Sequence, residues 1–219
     1  MSRTAARGGA PSRGRELRGR ELRARGQRTL NRVLEAGARV FAERGYHAAR
    51  VDDIVKAANV SHGTFYLYFS SKQDLFSELA EGIAAEMAAL ARELPALDGD
   101  GPFRDWLARF YELYSRHDRF LRTWTEAEIS DSDLGRIAND LVAELSRQLA
   151  ARVRSADLEL DPGLTAFALV SMIERTTYYV QSRQLRVDPA ATLDVMAAVT
   201  RAALGGGAPT TTDRRVLRS

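Results

Sequence analysis

The densest group of side chains able to make specific polar contacts lies between Arg50 and Lys72, in the stretch RVDDIVKAANVSHGTFYLYFSSK. At helical spacing, Phe65 and Phe69 share one face, which we expect to be buried. The opposite face carries polar and aromatic groups: His62, Gly63, Tyr66 and Leu67. Imidazole and hydroxyl groups at this spacing donate and accept hydrogen bonds, so the pattern indicates recognition of a partner.

Catalysis has little support in the sequence. The chain has no cysteine and only three histidines, His47, His62 and His117, none of which are four residues apart. A histidine-based triad and a zinc site therefore both lack residues at a workable spacing. We expect a protein that is not an enzyme and that uses no metal and no cofactor.

Two short helices are expected to position the exposed face. Val51 to Ala58 places its apolar residues on one side, and Asn59 follows where the backbone must turn through the left-handed region. Ser61 can cap a second helix over residues 62–69. Two helices joined by a tight turn fit the major groove of DNA, although an αα-hairpin of a small bundle would show the same pattern.

The sequence VSHGTFYLYFSSK, preceded by VDDIVKAANV, resembles the signature of the TetR family of transcriptional regulators. The resemblance runs without a gap from Leu30 to about Leu79. It implies an all-α protein with an N-terminal three-helix helix-turn-helix DNA-binding domain and a C-terminal helical ligand-binding and dimerisation domain. It also implies double-stranded DNA as a partner, in the form of a palindromic operator.

Mapped onto the family pattern, the residues expected to contact DNA are Ser61, His62, Gly63, Thr64, Tyr66, Leu67, Tyr68 and Lys72. Arg50 departs from that pattern and is expected to place a guanidinium beside the phosphates. We expect His62 to read a base and Leu67 to touch a thymine methyl group. The hydroxyl groups and Lys72 are expected on phosphates or base edges. The family usually has serine or threonine where this chain has Arg50, and loss of that helix cap costs about 1 kcal/mol.

The distribution of charge supports the same assignment. Residues 1–27 carry eight arginines and two glutamates, a net charge of +6, and residues 28–72 carry seven basic and four acidic groups, a net +3. Residues 73–219 carry 17 basic and 23 acidic groups, a net −6. A basic N-terminal part is expected of a chain that faces phosphates there.

Breaks in the helical pattern predict the domain limits. The segments are a basic disordered arm at 1–27, the DNA-binding domain at 28–74, the helical domain at 75–207 and a disordered tail at 208–219. A helical continuation of the arm from about Arg15 is the alternative. Whether the arm contacts DNA is left open by the sequence. In the helical domain, Pro95 to Pro102 predicts a loop. A corner is expected at His117-Asp118, followed by a short helix that carries Phe120.

The helical domain is rich in bulky aromatic residues, which either fill a core or line a ligand cavity. The candidate ligand contacts are Trp106, Phe110, Tyr114, Phe120, Trp124, Ile173, Glu174, Thr177 and Tyr178. Glu174 and Arg175 interrupt an apolar helix, and they need either an ion pair or the polar end of a ligand. The string from Met172 to Thr176 is similar to one in the subgroup that contains the mycobacterial repressor of ethionamide activation. That resemblance implies a lipophilic small-molecule effector, such as a fatty-acyl or other lipid-derived molecule.

The last two helices, over residues 163–184 and 190–204, are expected to form a homodimer, as the resemblance implies. Dimers read two half-sites of a palindrome. The expected interface residues are Val170, Ile173, Thr177, Gln181, Leu193, Met196, Val199 and Ala203.

The hypothesis that follows is a cytoplasmic, dimeric DNA-binding transcriptional regulator, a repressor released from its operator by a lipophilic effector. The alternative is a DNA-binding regulator without a small-molecule effector, controlled by a protein partner or by abundance. No run of 18 apolar residues occurs, so no contact with a membrane is expected.

Overall fold

The computed structural model describes residues 13–97, 100–128, 131–154, 160–182 and 187–204, with side chains from residue 24 onward. Over these ranges the chain forms eight α-helices and no strand, which confirms the all-α prediction. The helices are α1 Arg13–Arg44, α2 Val51–Ala58, α3 His62–Tyr66, α4 Lys72–Arg92, α5 Asp100–Ala127, α6 Ser132–Val153, α7 Pro162–Ser182 and α8 Pro189–Ala203.

The chain divides into two compact units. The first contains the residues up to Arg44 together with Ala48–Phe76, and the second contains Gly45–His47 together with the residues from Ser77 onward. The domain limits predicted from the sequence, at residues 74 and 207, stay predictions. The predicted tail at 208–219 lies outside the described residues.

The first unit is built on the packing of α1 against α2. Phe41 and Phe76 are fully buried and meet edge to face, with ring centroids 4.8 Å apart. Gly37 of α1 allows close packing, because a Cβ there would lie 2.6 Å from a methyl carbon of Leu75. The core is completed by further buried side chains: Val33, Ala36, Val40, Ile54, Val55, Ala58, Phe65 and Phe69.

The turn between α2 and α3 has the geometry that the sequence predicts. Asn59 lies in the left-handed region, with φ 52° and ψ 52°. The N–H of Val60 donates to the carbonyl of Val55 at 3.1 Å and closes the turn. Ser61 caps α3, since its Oγ accepts the N–H of Thr64 at 3.1 Å.

The second helix of the pair is shorter than predicted. α3 ends at Tyr66, whereas the sequence pattern extended it to residue 69. Beyond Tyr66, the N–H of Tyr68 donates to the carbonyl of Phe65 at 2.9 Å. The N–H of Phe69 donates to the same carbonyl at 3.0 Å, so the chain leaves the helix through one last turn in which three-residue and four-residue bonds share an acceptor.

The N terminus of α2 makes up for its missing side-chain cap. The guanidinium of Arg50 has no acceptor atom, and Arg50 makes no side-chain capping bond. Its backbone N–H instead donates to the carboxylate of Asp53 at 3.3 Å. Arg44 lies 3.2 Å from the other oxygen of Asp53, which ties the end of α1 to the start of α2.

The first helix begins close to Arg15, the earliest helical start that the sequence suggests for the basic arm. α1 begins at Arg13, so residues 13–27 are helical, and residues 1–12 lie outside the described part of the chain. The segment lacks apolar periodicity but contains arginine, leucine, glutamate and alanine, which all favour helix. The segment adjoins the part of α1 that packs in the core, so it extends an existing helix and needs no new nucleation.

The second unit differs from the prediction along α5. Its first turn includes Pro102, so the loop predicted to reach Pro102 ends earlier. Proline is tolerated there because N–H groups in the first turn have no partner within the helix. α5 then runs through His117 and Asp118 without the predicted corner, and Asp118 pairs with Arg122 one turn later at 3.1 Å.

Three large buried side chains of the second unit have hydrogen-bond partners for their polar atoms. Trp106 Nε1 donates to the carbonyl of Leu90 at 2.8 Å, and Trp124 Nε1 donates to that of Leu134 at 3.2 Å. The Tyr46 hydroxyl donates to Asp131 at 3.0 Å. Burial, together with the Asp131 carboxylate, raises the pKa of Tyr46 to about 12, so its proton stays in place at neutral pH.

The predicted dimer residues are mostly inside the unit. Val170, Ile173, Thr177, Leu193 and Met196 are buried, whereas Val199 is 44% exposed. The sequence pattern identified an apolar face, but most of that face packs inside the unit and is not exposed to a partner. α7 and α8 carry apolar residues on two sides, and the pattern does not show which side faces inward.

Two glycines provide a matched test of helix packing. A Cβ at Gly82 in α4 would meet nothing within 4 Å, so Gly82→Ala should stabilise the fold by about 1 kcal/mol through helix propensity. At Gly37 the same change presses on the buried Leu75, and overpacking of about 1–3 kcal/mol outweighs the gain. We expect thermal unfolding to show a higher midpoint for Gly82→Ala and a lower one for Gly37→Ala. Equal midpoints would contradict the packing at Gly37.

Candidate nucleic-acid interface and ligand cavity

α3 presents a polar and aromatic front to solvent. Tyr66 is 56% exposed and Leu67 81%, whereas Phe65 is fully buried. The Tyr66 ring meets that of Phe65 edge to face, with centroids 5.3 Å apart. His62 and Gly63 are exposed as well. The structure therefore has the front that the sequence predicts, and its contact with DNA stays a prediction.

The start of α3 keeps one hydroxyl donor for a partner. The hydroxyl groups of Ser61 and Thr64 lie 2.9 Å apart and share one hydrogen bond, so one of the two O–H groups remains to donate outward. Between them, a Cβ on Gly63 would meet only Ser61 Oγ, at 3.8 Å. The fold itself therefore does not require glycine there, and any need for it comes from a molecule that approaches α3.

His62 is held by an acidic neighbour on α2. Its Nε2 lies 3.1 Å from Oδ1 of Asp52, and both side chains are exposed. If Nε2 carries the hydrogen donated to Asp52, Nδ1 remains for a second contact. Sequence analysis did not select Asp52, because the two residues meet through the tertiary fold and no local spacing links them.

Three of the expected DNA contacts lie at the edges of this front. The Tyr68 hydroxyl donates to the carbonyl of Gly26 at 3.1 Å, which joins the end of α3 to α1. The Lys72 ammonium donates to the carbonyl of Ala49 at 2.8 Å, and burial lowers the pKa of Lys72. Both groups thus have a structural contact besides any role in binding. Arg50 is exposed at the start of α2.

The second unit contains a cavity between α4, α5, α6 and α7. Its larger part has a volume of about 210 Å³ and its smaller part about 20 Å³. Both parts are lined by Phe110, Leu145, Val170 and Glu174. The two parts are therefore adjacent, and apolar residues form most of the walls of both.

Six of the nine predicted ligand residues line this cavity: Trp106, Phe110, Tyr114, Trp124, Ile173 and Glu174. The other three lie elsewhere. Phe120 is buried, the Thr177 hydroxyl donates to the carbonyl of Ile173 at 2.8 Å, and the Tyr178 ring lies 5.1 Å from the Arg175 guanidinium carbon. Binding of a ligand by any of the nine stays a prediction.

The charged residues that line the larger part of the cavity are Glu128, Glu174 and Arg175. Arg175 Nε lies 3.5 Å from Glu174, and the Tyr114 hydroxyl donates to the same carboxylate at 3.5 Å. Burial raises the pKa of Glu174, and burial together with the charge of Glu174 raises that of Glu128. Glu128 was not among the sequence candidates, because nothing in its local sequence distinguishes it from the solvated Glu126.

Other kinds of site find no support in the described ranges. No three histidine, aspartate or glutamate side chains in these ranges converge as metal ligands would. None of the helices described is both long and apolar enough to cross a membrane.

Comparison with known proteins relates this geometry to one family. The family model of bacterial regulatory proteins of the tetR family matches residues 33–79. The Bacillus subtilis protein named uncharacterized HTH-type transcriptional regulator YdgC is 32% identical over 165 residues, which cover 69% of this chain and 80% of YdgC. The HTH-type transcriptional repressor NicS of Pseudomonas putida is 30% identical over 96 residues, 43% of this chain and 45% of NicS.

A solved structure extends the likeness into the second unit. The structure of the flavonoid-responsive regulator FrrA has a TM-score of 0.61 and 25% identity, and the match covers 82% of this chain and 96% of FrrA. The family model falls on the helix-turn-helix, and YdgC is similar over more than two thirds of both chains. The chain therefore belongs to the tetR family of bacterial transcriptional regulators.

Proposed function

We propose that this protein is a dimeric repressor that binds a palindromic operator through α3 and is released by a lipophilic small molecule bound in the second unit. The observation that carries the proposal is the exposed front of α3, held above buried aromatic residues in a tetR helix-turn-helix. Membership in the family makes the chain a transcriptional regulator. Repression, dimer formation and the effector are the proposed parts, as is action in the bacterial cytoplasm, where the chromosome is.

We expect some residues to position the protein on the DNA backbone and others to read the base sequence. Exposed arginines of α1, such as Arg28 and Arg32, and Arg50 at the start of α2 supply the positive charge that attracts phosphates. Tyr66 and His62 are placed to reach base edges or the adjacent phosphates. Leu67, the most exposed of these side chains, suits a thymine methyl group.

The proposed dimer surface is the outer side of α7 and α8. On α7, exposed residues recur at three- and four-residue steps, and on α8 a smooth strip of small apolar residues is exposed. The surface consists of Leu164, Phe167, Ala168, Tyr179, Val195, Ala198, Val199 and Ala202. Exposed apolar residues grouped on one side of α7 and α8 favour burial against a second copy.

The proposed effector site is the cavity between α4, α5, α6 and α7. Its apolar walls suit a lipophilic molecule, and FrrA, which is similar to this chain over both units, is a flavonoid-responsive regulator. Release from DNA requires that the effector bind the DNA-free arrangement more tightly than the DNA-bound one. Likeness to the ethionamide-repressor subgroup, on which the expectation of a lipid-derived effector rested, stays a proposal.

The size of the cavity keeps one alternative open. Ligand pockets commonly enclose about 300–1,000 Å³, and the larger part of this one has about 210 Å³. So small a cavity also fits a regulator that has no small-molecule effector and is controlled by a protein partner or by abundance. Mass spectrometry of the protein purified under native conditions separates the two functions, because a bound apolar compound would support the effector.

The Tyr66 hydroxyl provides a test of recognition that leaves the aromatic packing intact. We expect Tyr66→Phe to weaken binding to the specific operator about tenfold, because one polar contact is lost. Tyr111→Phe, the same change on α5, is the control. Fluorescence anisotropy with the chain's own upstream DNA measures both. Equal affinities of the two variants would remove Tyr66 from the interface.

Arg50 tests the electrostatic part. Replacing Arg50 by Gln should weaken binding to any duplex and lower the slope of log K against log salt concentration by about one. Arg116→Gln removes the same charge from an exposed position of α5 and should leave the slope unchanged. A slope that Arg50→Gln does not alter would show that no phosphate lies near this residue.

Val195 tests the dimer surface, since it is 61% exposed at the centre of the strip on α8. We expect Val195→Asp to be monomeric by light scattering at micromolar concentration, because the change buries a charge at the interface. Operator affinity should fall with it. Ala143→Asp, at an exposed position of α6, is the control and should stay dimeric. A dimeric Val195→Asp would exclude this surface.

A further inference from the structure

We propose that the cavity of the second unit takes a lipophilic cation, with a protonated amine placed between Glu128 and Glu174 and an apolar body along the aromatic walls. The inference rests on the proposed function, in that it takes this cavity as the effector site. It goes further by giving the effector a charge. It also excludes a free fatty acid, the kind of lipid-derived effector that carries the opposite charge.

The charges that line the cavity are unequal. Among the described lining residues, Glu128, Glu174 and Arg175 are the charged ones, so two carboxylates stand against one guanidinium. The remaining walls are mostly aliphatic and aromatic, with Thr125 and Asn139 as neutral polar groups. A ligand that enters must therefore satisfy a polar end with excess negative charge.

Arg175 is already engaged. Its Nε lies 3.5 Å from Glu174, and its guanidinium carbon lies 5.1 Å from the centroid of the Tyr178 ring. The Arg175 side chain is 52% exposed, so water also solvates it. These contacts compensate part of the charge of Glu174, so the cavity keeps an excess of one carboxylate.

Glu128 is compensated only in part: the charge of Arg175 lowers its pKa, but burial and the charge of Glu174 raise it by more. Among the residues that the structure describes, none forms an ion pair or a side-chain hydrogen bond with its carboxylate. Burial and the neighbouring charge of Glu174 raise the pKa of Glu128, so ionising this group is costly in the empty cavity. A bound cation would remove that cost, whereas a bound anion would increase it.

The aromatic walls add a second reason for a cation. Tyr114 and Trp124 line the same part of the cavity as Glu128, and the faces of tyrosine and tryptophan rings attract cations. Phe110, Leu121 and Leu145 line the same larger part, where an apolar body can be buried. The cavity therefore matches a molecule with one charged end and one apolar end.

The test uses three probes that share one apolar body: phenylbutylamine, phenylbutyrate and phenylbutanol. The chain has two tryptophans, Trp106 and Trp124, and both line the cavity, so intrinsic fluorescence of the full chain reports binding directly. We expect phenylbutylamine to bind about tenfold more tightly than phenylbutyrate, because the carboxylates attract the ammonium and repel the carboxylate. Phenylbutyrate binding as tightly as the amine would overturn the inference, and so would an amine that leaves the fluorescence unchanged.

Glu128 and Glu126 form a matched pair for the same experiment. Glu126 lies on α5 two residues earlier and is exposed, so Glu126→Gln removes the same charge outside the cavity. Glu128→Gln should weaken the amine about tenfold and leave phenylbutanol within about twofold, because only the charged head loses its partner. Equal amine affinities in the two variants would overturn the role of Glu128. The probe series on the unaltered chain decides the question should a variant fold poorly.

DNA release, measured in parallel on the operator, distinguishes this inference from the proposed function. Tight amine binding without release supports the cation site and contradicts the effector part of the proposed function. Release by phenylbutyrate, with weak amine binding, supports an effector and overturns the cation site. Tight amine binding with release supports both.

Discussion

The burial of Phe65 is the interaction on which the DNA-facing part of this protein depends. α3 has five residues, far fewer than an isolated helix needs to persist in water. Its position is therefore fixed by tertiary contacts, with Phe65 fully buried and Phe69 nearly so. Ser61 secures the start of the helix and the Tyr68 hydroxyl its end. The exposed front has a defined place only because these inward contacts hold it.

Local signals in the sequence were sufficient for the turn between α2 and α3. Asn59 and Ser61 have side chains suited to single backbone positions, and the structure places both as expected. The helical state of residues 13–27 was left open by the sequence, and the continuity of α5 was not predicted. Residues 13–27 have no apolar stripe, and His117-Asp118 has weak helix propensity, yet both segments continue helices whose packing lies elsewhere.

Tertiary contacts account for the remaining differences. On α8, Met196 faces inward while its neighbour Val195 faces solvent, and hydropathy alone cannot assign which apolar side meets a partner. The cavity was anticipated through its aromatic residues, but Glu128 was not, because its environment comes from α7. When the environment of a residue is set by another helix, the sequence around that residue carries no signal of it.

The cavity lowers the stability of the second unit. Space without atoms forfeits dispersion contacts, and two carboxylates with raised pKa values add electrostatic strain. The tryptophan N–H groups along its walls are paired with backbone carbonyls, so the electrostatic cost lies with the two carboxylates. Such a site is stabilised by whatever satisfies it, which links occupancy to the stability of the whole unit.

The separation of α3 into a buried side and an exposed side has a consequence for how such regulators diversify. Exchange of Leu67, at 81% exposure, removes almost no packing, whereas loss of Phe65 would open the core at a cost of about 3–5 kcal/mol. After gene duplication, a copy could therefore acquire a new operator by substitutions at the front without compensating changes beneath it. Copies of one fold can in this way control different sets of genes, because each copy changes the DNA sequence that it reads and keeps its buried core.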